Sequence, residues 1–329
     1  MNVKLKQYLT YGLIALFVAL LLVGTFYDLE IAQAVADLKE RQYQSQNLFG
    51  RFFETIGEMP LYVLGGLCCS IIFSYLNKRK NTAVVIVLKI ACVALALFAF
   101  YFMFYRLFKY LSIHFGFEEY LGSAVDYISY VLLGALTTGI LFYYSKNNSL
   151  DFLNKILPLT LIALATALTS VILSQGIKLI FNRYRFCTLN AIDRFDLYSK
   201  WLPFKGKLPI TELMSGAGVQ SDGAKSFPSG HVASGSLVIL ITVLPALFDK
   251  LNTKKARIII NASVWAYIVL LMISRMVMGK HYLTDVLIGL GITLVCYFVC
   301  TKIINAVLKK HPVPLLKNIN PIIVEEAID

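Results

Sequence analysis

The segment SFPSGH, Ser226 to His231, opens directly into VASGSLVILITVLPALF, Val232 to Phe248. The second part is apolar and of the length that crosses a bilayer core, for which about 20 such residues are needed. The first part is a turn. Pro-Ser-Gly bends the chain, and Ser229 has the short hydroxyl side chain that caps a following helix. Reading outward from this junction, seven further apolar segments emerge, approximately Tyr8–Tyr27, Met59–Leu76, Ala83–Tyr105, Tyr127–Tyr144, Ile156–Ile177, Ile258–Ser274 and Val286–Thr301, each bounded by charge, Pro or Asn. The expected fold is all-α, a polytopic transmembrane helical bundle of about eight spans.

Composition agrees with that reading. Of 329 residues, 58% are hydrophobic and 15% charged, against roughly 25% charged for a soluble domain, and the mean hydropathy is +0.69. The net charge of +12 is spread as short Lys/Arg clusters between apolar runs, which is the pattern of membrane loops and not of a nucleic-acid-binding arm. Five cysteines (Cys68, Cys69, Cys92, Cys296, Cys300) fall inside apolar segments and Cys187 stands alone, so neither a disulfide framework nor a zinc site is expected.

Loop charge sets the expected orientation, because short Lys/Arg-rich loops stay cytoplasmic. Lys4/Lys6, Lys78–Lys80, Lys146/Lys155, the cluster Lys250–Arg257 and Lys302/Lys309/Lys310 fall on one side. The other side receives Asp28, Glu30, Asp37, Glu40, Glu54 and Glu58, and the longest loop, Phe186–Phe227. Both termini are therefore expected in the cytoplasm and the long loop outside, in a cell-membrane protein whose first span is an uncleaved anchor. The aromatics of that loop, Phe195, Tyr198, Trp201 and Phe204, read as headgroup contacts, and Glu54 and Glu58 as exposed at the interface.

Three short stretches interrupt the membrane pattern, all on the outer side: KLIFNRYR (Lys178–Arg185), SFPSGH (Ser226–His231) and SRMVMGKHYLTD (Ser274–Asp285). Each alone has a structural reading, as snorkelling cations, a capped turn or an interfacial histidine. Together they place two of the chain's four histidines beside Lys178, Arg185 and Arg275. Two guanidiniums and an ammonium can surround a phosphate dianion, the arginines through forked donors. Ser229, Gly230 and the start of the sixth span add a hydroxyl and main-chain N–H groups at a helix N-terminus. No metal or other cofactor is called for. His281 and Asp285, four residues apart, share a helical face, so the carboxylate can orient the ring and leave Nε2 as a nucleophile. His231 is then the general acid for the leaving oxygen.

These stretches resemble the type-2 phosphatidic acid phosphatase superfamily, which includes vanadium haloperoxidases. Its pattern K-x6-R-P is met at Lys178 and Arg185, with Phe186 in place of the proline. P-S-G-H is complete at Pro228, Ser229, Gly230 and His231, and S-R-x5-H-x3-D at Ser274, Arg275, His281 and Asp285. The resemblance covers Lys178 to the last span. It implies a six-helix core, a phosphohistidine on His281 and no metal requirement. Five spans precede the second motif where the family usually has three, and the excess reads as an added N-terminal pair.

The chain thus divides into a membrane region 1–150 with the extra spans, a phosphatase core 151–310 carrying the motifs, and a cytoplasmic tail 311–329. The expected activity is hydrolysis of a lipid phosphate monoester or diphosphate at the outer leaflet, with the phosphorylated lipid and the surrounding membrane lipids as partners. Which lipid, and which oligomeric state, are not written in the sequence. Two alternatives remain: transfer of the phosphoryl group to a lipid acceptor, and non-catalytic binding or transport of an anionic lipid.

Overall fold

A computed structural model describes residues 3–115, 123–202 and 208–310. Of the residues named above, Phe204 and the tail 311–329 lie outside the described residues, as do the side chains of Lys4, Lys6 and Lys310. The regular structure of the described residues is helical, apart from one isolated bridge between Arg183 and Lys225. In order, it forms α1 (Val3–Val35), α2 (Leu48–Ile56), α3 (Met59–Asn77), α4 (Ala83–Phe115), α5 (Ala124–Ser145), α6 (Leu150–Ile180), α7 (Phe186–Ile192), α8 (Glu212–Gly216), α9 (Gly230–Gly235), α10 (Leu244–Leu247), α11 (Lys254–Val277) and α12 (Leu283–Lys310). Ser236–Val243 join α9 to α10 as a 3-10 helix, and α2 with α3, like α9 with α10, counts as one membrane-length unit. Among the described residues, eight such units are long and apolar enough to cross a bilayer. The protein is a polytopic membrane helical bundle.

Local signals explain most boundaries. Asn47, Ser123, Ser149, Thr211, Ser229 and Thr253 each cap the helix that follows, accepting from a first-turn N–H. Gly57 and Pro60 mark the break between α2 and α3. The spans are longer than their apolar runs. α1 continues past a kink at Tyr27 (φ −122°, ψ 19°) to Val35, so Asp28, expected in an outer acidic segment, is instead a buried helical residue.

The core lies where α3, α6, the α9–α10 unit, α11 and α12 meet, around Phe53, Ile162, Val232, Leu240, Ile268, Leu271 and Val286. α1 packs along α12, and α2 against α11. The first two spans are therefore integral to the bundle. The pair on its flank is α4 and α5, which pack on each other and on α3, with α4 also reaching α2.

The described part of the long loop 186–227 is folded. Its buried Cys187, Leu189, Met214, Val219 and Ala224 form a small cluster with Tyr43 and Tyr184. Its aromatics turn inward: Phe195 packs on Phe186, Trp201 stacks on Phe227 and donates to Thr25 at 3.0 Å, and the Tyr198 hydroxyl meets Arg183. All six cysteines are free and buried.

Candidate active site

The three polar stretches converge at one end of the bundle. The first leaves α6 after Lys178 and runs beside residues 222–226, with Arg183 N–H donating to Ala224 O, Arg185 N–H to Gly223 O and Ser226 N–H to Arg183 O. Arg185 then caps α7. Phe186 takes the proline's place and is buried against Phe195 and the Ala32–Tyr282 cluster, while Cys187 N–H donates to Gly279 O at 2.9 Å. Packing and this cross-link hold the turn where proline would have fixed it through φ.

Gly279 makes the third stretch possible. It has φ +63°, and a Cβ there would lie 2.6 Å from Leu38. This left-handed step lets the chain leave α11 after Arg275, so that His281 enters the site before α12 begins. The second stretch is fixed from behind, with Ser229 N–H donating to Asp285 O at 2.9 Å and Ser229 Oγ accepting from Val232 N–H. Gly230 is the close approach: a Cβ there would stand 3.1 Å from Lys178 Nζ. Without a side chain, the turn lets the ammonium lie directly against it.

Lys178, Arg185, Ser229, Gly230, His231, Arg275, His281 and Asp285 are thus brought together. Arg185 pairs with Asp222 at 2.8 Å and Arg275 with Glu54 at 3.0 Å. Several buried donor positions face no protein partner among the described residues: Arg185 Nε, Arg275 Nε and Nη1, and His231 Nε2. Buried polar groups are almost always satisfied, so a cluster of unmatched cationic donors around two histidines fits an oxyanion. Among the described residues no group of three or more His, Cys, Asp or Glu side chains is arranged to hold a metal.

His281 is the most tightly defined of these groups. Its Nδ1 lies 2.7 Å from Ser226 O and 3.6 Å from Asp285 Oδ2. A carbonyl can only accept, so Nδ1 carries the proton and Nε2 the lone pair. Burial holds the imidazole far below its usual range, at about 3, against the nearby Asp285 carboxylate that favours protonation; the charges of Arg185 and Arg275 depress it further. The ring is therefore neutral at physiological pH, with the Nε2 lone pair free.

Asp285 is held by a network that the sequence did not reveal. Its Oδ2 accepts from Ser226 Oγ and from Tyr282 N–H, and its Oδ1 pairs with Arg183 at 3.0 Å. Arg183 also reaches Asp28 Oδ2 at 3.0 Å, Ser199 O at 2.8 Å, Thr284 Oγ1 and Tyr198, and lies 3.8 Å over the Tyr282 ring. Thr284 in turn donates to Asp28 through its N–H and its hydroxyl. Glu54 and Glu58, expected at the exposed interface, are buried at 7% and 8% and face Arg275 and His231. A buried carboxylate needs a cationic partner, and these partners lie far away in the sequence.

Compared with family models, the chain matches that of the PAP2 superfamily over residues 158–309. Comparisons with curated proteins and with solved structures gave no match.

Proposed function

We propose, for a membrane chain whose residues 158–309 belong to the PAP2 superfamily, that it is a lipid phosphate phosphatase working through a phosphohistidine. The observation that carries this reading is the neutral His281, its Nε2 lone pair fixed by the Ser226 carbonyl, set among Lys178, Arg185 and Arg275. In the first step Nε2 attacks phosphorus, the bond to the leaving oxygen breaks, and His231 gives that oxygen its proton. In the second, water attacks the phosphohistidine, returns a proton to His231 and releases phosphate. The cationic donors match the charge on the equatorial oxygens as it spreads in the transition state.

A lipid is favoured because an apolar cavity begins next in sequence to Glu58, which faces His231. A cavity of about 470 Å³ begins at Ile56 and Met59, next to Glu58, and runs between α3, α6 and the 3-10 segment past Leu64, Ala163 and Leu240. Its lining is almost wholly apolar, suited to an alkyl tail whose phosphate lies in the cradle. The loop charges favour an outer-leaflet substrate in the cell membrane, with both termini inside. The test is phosphate release from a panel of lipid phosphates and diphosphates by purified protein in detergent, with chelator present. Release that persists in chelator and stops with vanadate is expected. Binding of every lipid without release would leave the transporter reading in its place.

A further inference from the structure

The second span carries two carboxylates to which the hydrolytic scheme gives no task. Glu54 closes α2 and Glu58 precedes α3, on either side of the break at Gly57. Glu54 lies 3.0 Å from Arg275 Nη2 and 3.2 Å from His114 Nε2. Glu58 lies 2.9 Å from Arg106 Nε and 3.5 Å from His231 Nδ1. Each carboxylate therefore joins one motif residue to one residue of α4, the helix on the flank of the bundle. An unpaired carboxylate at this depth would be costly, and a purely structural ion pair would be complete with Arg106 alone.

The surroundings of His231 give the pair a direction. The imidazole rests on the α2–α3 break, where a Cβ on Gly57 would come within 3.3 Å of its Cδ2, and Tyr110 of α4 meets it edge-on at 5.8 Å. Its Nδ1 faces Glu58, and its Nε2 is buried with no protein partner among the described residues. A histidine that must give up a proton from Nε2 needs a partner for Nδ1–H and a counter-charge for its cationic form. Glu58 supplies both. Arg106, gripping the same carboxylate from α4, fixes where it stands.

We propose that Glu58 is the positioning residue for His231, holding Nδ1 as the N–H side so that Nε2–H is the proton delivered to the leaving oxygen. This rests on the phosphatase reading and on His231 as its acid. The flanking helix α4 is then part of the catalytic apparatus through Arg106.

The experiment compares two esters in rapid-quench single turnovers: an alkyl lipid phosphate, whose leaving oxygen needs a proton, and a nitrophenyl phosphate, whose leaving group does not. His231→Ala is expected to lose on the order of 10²–10⁴ on the alkyl ester and little of the nitrophenol burst, as befits removal of a general acid. Glu58→Gln is expected to follow the same pattern in weaker form, on the order of tenfold to a hundredfold in kcat on the alkyl ester, with KM and the burst near wild type. Glu58→Asp should recover part of the loss. Equal loss on both esters in Glu58→Gln, with His231→Ala still selective, would overturn the role of Glu58 and leave the phosphatase reading intact. Loss of selectivity in His231→Ala itself would overturn both. If Glu58→Gln fails to fold, Arg106→Gln takes its place, since it keeps both the carboxylate and the imidazole; selectivity supports the proposal and equal loss removes it.

Discussion

His281 Nδ1 stands 2.7 Å from the main-chain oxygen of Ser226, closer than the 3.6 Å that separates it from the Asp285 carboxylate. The Ser226 carbonyl, with the Asp285 carboxylate next nearest, therefore keeps the proton on Nδ1 and leaves the lone pair on Nε2. Asp285 acts one step removed. It grips the Ser226 hydroxyl and the Tyr282 N–H, and so holds the backbone that holds the ring.

The protonation state of His281 follows and is measurable. With its pKa pressed by burial to about 3 from an ordinary value of 6.5, the ring should stay neutral, with the proton on Nδ1, throughout pH 5 to 8. Nitrogen-edited NMR of histidine-labelled protein should show one resonance pair that does not titrate in that range and disappears in His281→Ala. A midpoint near 6.5 would contradict the assignment. The linkage has a sign. Between 6.5 and 3 the unfolded chain binds a proton that the folded one refuses, so this residue's contribution to stability falls as pH falls through that window.

Phosphoenzyme trapping separates the two histidines. A phosphohistidine survives alkaline quenching and decays in acid, so labelled substrate should leave alkali-stable label on wild type and none on His281→Ala, whatever the leaving group. His231→Ala should retain the label when the activated ester is used. Label persisting in His281→Ala would move the nucleophile elsewhere.

Arg183 should prove the costliest single cation to remove. Arg183→Met leaves Asp28 and Asp285 buried without their shared partner, at 1% and 0% exposure, and breaking such a pair costs about 3–5 kcal/mol. Thermal unfolding in detergent should show the loss, and activity should fall with it because Asp285 no longer anchors Ser226. A midpoint within error of wild type would mean that the network adds nothing to stability.

Orientation can be read with impermeant thiol reagents, since every native cysteine is buried. Ser215→Cys, on the folded loop at the active-site end, is exposed, and so is Lys254→Cys at the opposite end of α11. In intact cells only Ser215→Cys should react. The reverse result would place the site, and its substrate pool, in the cytoplasm.

The parts of the site that were legible in the sequence are those whose meaning is local. Lys178 with Arg185, the Pro228–His231 turn, and Arg275 with His281 and Asp285 sit at fixed short spacings, so their chemistry could be read without the fold. Asp28, Glu54, Glu58 and Arg183 were illegible because their partners are distant in sequence: Asp28 meets Arg183, and Glu54 meets Arg275, only after helices far apart in the chain have packed. An acid at the end of an apolar run looks like an interfacial charge until the opposing cation is seen. The spans were found by hydropathy, which counts helices without saying which are neighbours. That α4 and α5 pack on each other and on α3 could be seen only in the fold.

The lock formed by Asp28, Arg183 and Thr284 also governs the order in which the polypeptide can mature. Asp28 leaves the ribosome in the first helix, Arg183 only after five spans, and Thr284 with the last. Until that last helix arrives, an acid in the first span has no complete set of partners in lipid, where an unmatched charge is expensive. A nascent chain lacking α12 should therefore be held by insertion chaperones or degraded, and synthesis of the final helix should act as the release signal for the whole bundle.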